Sequence, residues 1–136
     1  PQDMALSDVR KGADMFGKVN TPLIGVIENM SGLVISGKII NYNPSLQKNN
    51  KLILSETNQE FEINEDGNFE FEIDLFKKGG GKLESDRLNV PLLGQVPISS
   101  ELMKTSDGGT PINIKNNNSA ISNIFTAIVE KIIAAN

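Results

Sequence analysis

Two continuous apolar runs and two amphipathic segments dominate the hydrophobic pattern of this chain. The runs at residues 23–27 and 92–96 lack polar alternation, which predicts β-strands covered on both faces. Apolar residues recur at helical spacing in residues 3–16 and 118–135, with Gly17 as the expected end of the first helix. This alternation of helices with buried strands predicts an α/β fold in which the two strands are parallel neighbours.

The segment between these pieces has a different pattern. Phe, Ile and Leu alternate with acidic residues over residues 69–75, which is typical of an antiparallel strand exposed on one face. The preceding NEDGN sequence predicts a tight turn at residues 66–67. Residues 34–78 carry five Lys and eight Asp or Glu, so they are more acidic than their flanks. We therefore predict a β-rich insertion at 34–78 in an α/β portion formed by 1–33 and 79–136.

Composition removes several kinds of chemistry from consideration. The 136 residues include no Cys and no His, which excludes disulfides, thiolate or imidazole metal ligands, and Ser–His or Cys–His catalysis. The net charge of −4 gives nucleic-acid binding no electrostatic support. No apolar run approaches the roughly 20 residues of a membrane span, and no leader pattern suggests secretion. We expect no metal site, no nucleic-acid partner and no membrane partner.

Three stretches of the α/β portion carry a family resemblance. They are PQDMALSDVRKGADMFGKVNTPLIGVIENMSG, GGGKLESDRLNVPLLGQVPIS and SDGGTPI. In order and spacing they resemble the C-terminal half of the Mrp family, P-loop ATPases of the MinD/ParA class that carry iron–sulfur clusters. The resemblance implies the C-terminal part of a parallel-sheet P-loop NTPase fold with an inserted antiparallel β unit. It also implies a cytoplasmic protein that can form homodimers.

Two features of the resembled family have no counterpart in these 136 residues. The family's Walker A loop, which holds the phosphates and Mg²⁺, lies upstream of the first matching stretch. A Cys-x-x-Cys pair, which holds a bridging cluster, usually follows ENMS, where this chain has the cysteine-free segment 34–78. The resemblance thus implies ATP and Mg²⁺ as cofactors of a full-length parent. We expect this chain alone to bind neither tightly, to carry no Fe–S cluster and to be inactive.

Asn29, Pro97 and Ile98 are the cofactor-binding residues that the resemblance implies, and no catalytic residue is assigned. Asn29 follows the first strand, where ligands of open α/β sheets bind. In the MinD/ParA class an Asn at this position reads the adenine edge, since an amide offers a donor and an acceptor. Pro97 and Ile98 follow the second strand in a loop that packs on the base in that class. Two simpler interpretations remain open, in which Asn29 caps a turn and Pro97 only ends a strand.

The glycine-rich stretch KKGGGK invites a phosphate-binding interpretation, because a glycine loop entering a helix presents backbone amides to an anion. A Walker A loop requires Ser or Thr after its Lys, however, and Leu83 follows Lys82 here. A flexible hinge before a helix is the favoured interpretation.

The β-rich insertion resembles the carboxypeptidase-regulatory-like β-sandwich repeats through ISGKIINYNP and INEDGNFEFEI. It is open whether it is a natural loop insertion, which costs little entropy when its ends are close, or an artificial junction of two unrelated sequences. The rival function is therefore a non-enzymatic binding or structural module with the β segment as its interaction surface.

We expect anaerobic reconstitution of the chain with iron and sulfide to leave no charge-transfer absorbance after desalting. The reason is that the chain has neither Cys nor His, and carboxylates alone are poor ligands for clusters. Stoichiometric iron and sulfide retained by the desalted protein would contradict this expectation.

Overall fold

The computed structural model describes residues 3–43, 45, 51–55, 57–75, 79–115 and 118–134. Five helices and five strands lie within these ranges. In chain order they are α1 (Asp3–Lys18), β1 (Val26–Lys38), β2 (Lys51–Ile53), β3 (Glu60–Glu62), β4 (Asn68–Ile73), α2 (Gly80–Leu88), β5 (Leu92–Ile98), α3 (Ser100–Asp107), α4 (Ile112–Lys115) and α5 (Ala120–Ala134). The described chain divides into a larger unit, Pro1–Leu33 with Asp74–Asn136, and a smaller unit, Val34–Ile73.

The parallel pairing predicted from the two apolar runs is confirmed. Strands β1 and β5 run parallel, with Val26 opposite Leu92 and Asn29 opposite Val96. The fold is thus α/β with a parallel strand pair, and a small antiparallel sheet of β2 and β3 is also present. The helices predicted at residues 3–16 and 118–135 form close to their expected bounds as α1 and α5, but α1 runs through Gly17 and ends at Lys18.

Strand β1 differs from its sequence prediction in both start and length. The apolar run suggested a strand at residues 23–27 followed by a polar loop, whereas the strand begins at Val26 and continues to Lys38. Its ladder to β5 is irregular between Asn29 and Leu33, and Met30 has a positive φ of 56°. The β-prone residues after this irregularity continue the strand, and β4 is hydrogen-bonded to β1.

The core of the larger unit lies between β5 and α5. Leu93, Val96 and Ile128 are buried together. Partly buried apolar side chains from α3 and α5 pack around them, namely Leu102, Ile124, Phe125 and Ile132. The apolar face predicted for residues 118–135 therefore packs on β5, because apolar residues recur on one side of that helix.

The expectation that the first apolar run is covered on both faces is wrong for the described residues. The side chains of Ile24 and Ile27 are 45% and 47% exposed. On α1, Val9 and Phe16 of the predicted apolar face are also exposed. An apolar pattern indicates a surface suited to burial, but burial also needs a second apolar surface, and the described elements do not provide one here.

The smaller unit is built from short strands with one half-buried face. In β4, Phe69, Phe71 and Ile73 are half-buried and the acidic residues between them are exposed, as the alternation predicted. The Phe61 ring of β3 stacks on Phe71 at a centroid distance of 4.1 Å. The predicted turn at residues 66–67 is also confirmed, since Gly67 has a φ of +79° and its N–H donates to the Asn64 carbonyl.

A buried carboxylate joins α1 to α2 in the larger unit. Glu84 is 1% exposed and accepts hydrogen bonds from Arg10 Nε at 2.5 Å and Arg87 Nε at 2.7 Å. Arg87 also donates to Asp14 of α1 at 3.1 Å. Burial alone raises the pKa of the Glu84 carboxyl, but the two arginines outweigh this effect and hold that pKa below its ordinary value.

We expect Glu84→Gln to lower the free energy of unfolding at pH 7 by about 1–3 kcal/mol, the contribution typical of hydrogen bonds to a charged group. A carboxyl with a lowered folded-state pKa stabilises fully above its unfolded pKa and loses that contribution as pH falls through the folded value. The wild-type chain should therefore lose stability more steeply below about pH 4.5 than the variant.

Urea unfolding at a series of pH values measures both effects. Glu130→Gln, at an exposed carboxylate of α5, is the matched control and should follow the wild-type curve. If the free energy of unfolding falls equally steeply below about pH 4.5 in the wild type and in Glu84→Gln, the buried ion cluster does not contribute to stability.

Candidate functional site

The structure places Asn29 where the regular β1–β5 ladder ends. Its backbone pairs with Val96, and the register is interrupted immediately afterwards. The side chain is exposed, and its Oδ1 accepts a hydrogen bond from the Met30 N–H at 2.9 Å. This bond runs to the next residue along the chain, and both residues lie within β1. The Nδ2 group bonds to no described residue, so it remains a donor for a ligand at this edge.

Pro97 and Ile98 lie on the neighbouring strand, directly after the partner of Asn29. Pro97 is buried, and Ile98 is half-buried opposite Leu33. Both residues belong to β5. The strand therefore ends two residues later than the predicted run at residues 92–96, and these residues do not follow it. Ser99 then caps the N-terminus of α3, and its Oγ accepts from the Leu102 N–H at 3.3 Å.

A second buried carboxylate lies beside this edge. Glu28, one residue before Asn29, is 5% exposed, and Gln95 Nε2 donates to its Oε2 at 2.7 Å. The start of α2 approaches the same side chain closely. A Cβ placed on Gly81 would lie 2.7 Å from the Glu28 Cβ and 3.0 Å from Oε2. Only glycine fits this contact without a shift of one of the two elements.

This contact decides between the two interpretations of the glycine-rich stretch. Lys77 and Lys78 lie outside the described residues. The stretch does open α2, with Gly79 at φ 91° before the first turn. The acidic side chain packed against Gly81 belongs to the chain itself, and a carboxylate repels a phosphate. The start of α2 thus fits close helix–strand packing and does not fit a phosphate site.

A pocket that the sequence analysis did not identify lies in the same unit. Its volume is about 380 Å³, and its walls come from α3, α4, α5 and the loop between α3 and α4. Leu102, Thr110, Ile112 and Phe125 are among the lining residues. Much of the pocket wall comes from the SDGGTPI stretch, one of the three stretches that carry the family resemblance. Neither Asn29 nor the Pro97–Ile98 pair lines the pocket.

At the strand edge the Asn29 amide is exposed and Ile98 is half-buried, whereas Pro97 is buried. An exposed amide can make directional hydrogen bonds to a ligand. Within the described ranges, no three acidic side chains come close enough together to hold a metal ion. No helix in the described part of the chain is long and apolar enough to cross a membrane.

The α/β fold with its parallel strand pair, and a candidate site at the end of those strands, define part of a P-loop NTPase. The family model described as ParA, the NUBPL iron-transfer P-loop NTPases, matches residues 1–64 and 59–133. These ranges cover nearly the whole chain, and the chain therefore belongs to this family of iron-transfer P-loop NTPases.

Curated relatives with similar sequences are called iron–sulfur cluster carrier proteins. The carrier of Synechocystis sp. is 32% identical over 132 residues, which is 97% of this chain and 29% of the relative. The carrier of Pseudomonas fragi is 32% identical over 92% of this chain and 33% of its own length. The Escherichia coli K12 carrier is 28% identical over 98% of this chain and 28% of its length. The chain thus spans about a third or less of these relatives.

We expect Gly81→Ala to lower the free energy of unfolding by about 1–3 kcal/mol, the usual cost of overpacking. The added methyl would meet Glu28 at distances that real Cβ atoms do not show. Gly12→Ala is the control, because a Cβ there has no atom within 4 Å. That change should stabilise α1 by about 0.5–1 kcal/mol.

Denaturant unfolding of the two variants, compared with the wild type, measures these changes. Equal stability of Gly81→Ala and the wild type would show that α2 does not approach β1 as described.

Proposed function

We propose that this chain is the C-terminal portion of an ATP-binding iron–sulfur cluster carrier, in which it supplies the surface that recognises the adenine base. The observation that supports this most strongly is the pairing of Asn29 with Val96, next to Pro97. The pairing sets an exposed amide opposite the residue that precedes a buried proline, where the regular ladder of the parallel strands ends.

In this proposal Asn29 reads the edge of the base. Its Nδ2 donates to a ring nitrogen, and the lone pair of Oδ1 that Met30 leaves free accepts from the exocyclic amine. Pro97 and Ile98 provide the apolar surface on which the ring packs. These roles match those that the family resemblance implies for the same positions.

The phosphates, Mg²⁺ and the cluster are assigned to other parts of the proposed carrier. No stretch of this chain follows the Walker A pattern, and none of its residues is Cys. When bound, ATP and Mg²⁺ would supply the energy of phosphoryl transfer to the full-length protein. We carry over homodimer formation and a cytoplasmic location from the family resemblance as further parts of the proposal.

A second candidate function is a binding module formed by the smaller unit. The observation that favours this function is a groove of about 600 Å³, whose lining residues include Glu62, Asn64, Phe69 and Glu70. A lining that combines a phenylalanine ring with carboxylates suits a cationic or mixed polar partner. This function would survive removal of the ATP site, whereas the first would not.

We expect this 136-residue chain to bind ATP at millimolar concentration or more weakly and to hydrolyse none. A net hydrogen bond contributes only about 0.5–1.5 kcal/mol, while binding costs at least roughly 4 kcal/mol in translational and rotational freedom. One or two base contacts therefore do not hold ATP well, since most of the affinity in this class comes from phosphate contacts.

Isothermal titration of the chain and of a full-length parent measures both affinities. Tight binding should appear only in the parent, where Asn29→Ala should weaken ATP more than inorganic triphosphate. Micromolar ATP binding by this chain alone would contradict the proposal, because it would require a complete nucleotide site within these residues.

A further inference from the structure

Three residues of β1 form a short regular segment between two irregularities. The register to β5 shifts between Val26 and Ile27 and again between Asn29 and Leu33. Between these shifts, the segment pairs residue by residue with Gly94, Gln95 and Val96. A ladder that is irregular on both sides does not fix its own register through backbone bonds alone, so a side-chain contact can decide it.

The middle rung of this segment carries such a contact. Glu28 faces Gln95 in the ladder, and their side chains are joined by the 2.7 Å hydrogen bond. Glu28 is also held by its close packing on Gly81. A slip by one residue would turn Glu28 to the opposite face, where its carboxylate would lose both the Gln95 donor and the fitted space at Gly81.

The position of Asn29 depends on this rung. Consecutive side chains of a strand point to opposite faces, so an inward Glu28 requires an outward Asn29. The same register sets Asn29 opposite Val96, the residue that precedes Pro97. Within the described residues, the exposed amide is bonded to the adjacent Met30 N–H alone. Among the side chains that the structure describes, the hydrogen bond between Gln95 and Glu28 is thus the side-chain contact that joins β1 and β5 at this rung.

We propose that Glu28 is a positioning residue for base recognition, which acts through Gln95 to hold the Asn29 amide at the strand edge. The inference rests on the proposed function and extends it, because it assigns adenine specificity to a buried carboxylate that does not touch the base. Glu28 fixes where the donor and acceptor of Asn29 lie, and those positions distinguish the edge of adenine from that of guanine.

The test is a reciprocal exchange of the two side chains in the full chain. Gln95→Glu alone removes the donor to Glu28 Oε2 and places a second carboxylate within hydrogen-bond distance of it, so the two groups repel. Adding Glu28→Gln restores the pair with donor and acceptor exchanged and with nearly unchanged volume. Glu130→Gln, at an exposed position of α5, is the control for a change of one charge.

Two NMR readouts keep the inference separate from the proposed function. Cross-strand nuclear Overhauser contacts between Asn29 and Val96 report the register without any ligand. Titrations with AMP and with GMP, followed at the Asn29 side-chain amide, report base recognition. We expect Gln95→Glu to lose the cross-strand contacts and to weaken AMP about three- to tenfold, which corresponds to roughly one hydrogen bond. The double variant should recover both.

The two readouts distinguish a failure of the positioning role of Glu28 from a failure of base recognition by Asn29. If Gln95→Glu keeps the Asn29–Val96 contacts, or if the double variant recovers neither readout, the positioning role of Glu28 is contradicted. If the wild type keeps its register but AMP and GMP shift the Asn29 amide equally, the proposed base recognition is contradicted instead. A general loss of fold in Gln95→Glu would remove contacts across the whole core, and rescue by the double variant would still support the pair.

Discussion

The contact between Glu28 and the start of α2 is the constraint on which the candidate site depends. A carboxylate that is removed from water must recover hydrogen bonds inside the protein, and Gln95 supplies one of them. Gly81 makes the approach possible because it has no side chain at the point of contact. The three residues come from the stretches ENMS, LLGQ and GGGK, so one buried group explains why these separate stretches are needed together.

The same constraint separates base recognition from phosphate binding. With an acidic side chain at the start of α2, that helix is a structural support and not an anion site. In the proposed carrier, the ligand-facing groups are those at the strand edge, namely Asn29 with Pro97 and Ile98. The uncovered apolar side chains of Ile24 and Ile27 belong to the same strand region. In the proposed carrier, the rest of the P-loop domain supplies the surface that covers them.

The sequence predicted the features that depend on neighbouring residues. The helical stripe of α5, the alternation in β4 and the turn at residues 66–67 follow from local periodicity and turn chemistry, and the structure has all three. The parallel pairing was also predicted from the two apolar runs, because continuous apolar runs favour strands covered on both faces of a parallel sheet. The family resemblance, and with it the choice of Asn29 as a site residue, depended on matching stretches and not on periodicity.

The remaining features depend on residues far apart in the chain. The burial of Glu28 and Glu84 was not predicted, since an acidic residue in an amphipathic pattern is normally assigned to solvent. Arg87, one turn after Glu84, was a local signal for its ion pair, but Arg10 lies 74 residues away. The exposure of Ile27 could not be predicted either, because it depends on which element covers the strand. The local sequence pattern does not contain that information.

The most direct test of this account is whether the Glu28 side chain lies against Gly81 in solution. Carbon-edited nuclear Overhauser spectra of the uniformly labelled chain measure this through the methylene protons of Glu28. The account predicts contacts from these protons to the amide and α protons of Gly81, together with contacts to the side-chain amide of Gln95. A Glu28 side chain that shows neither set of contacts and is accessible to a soluble paramagnetic probe would contradict it.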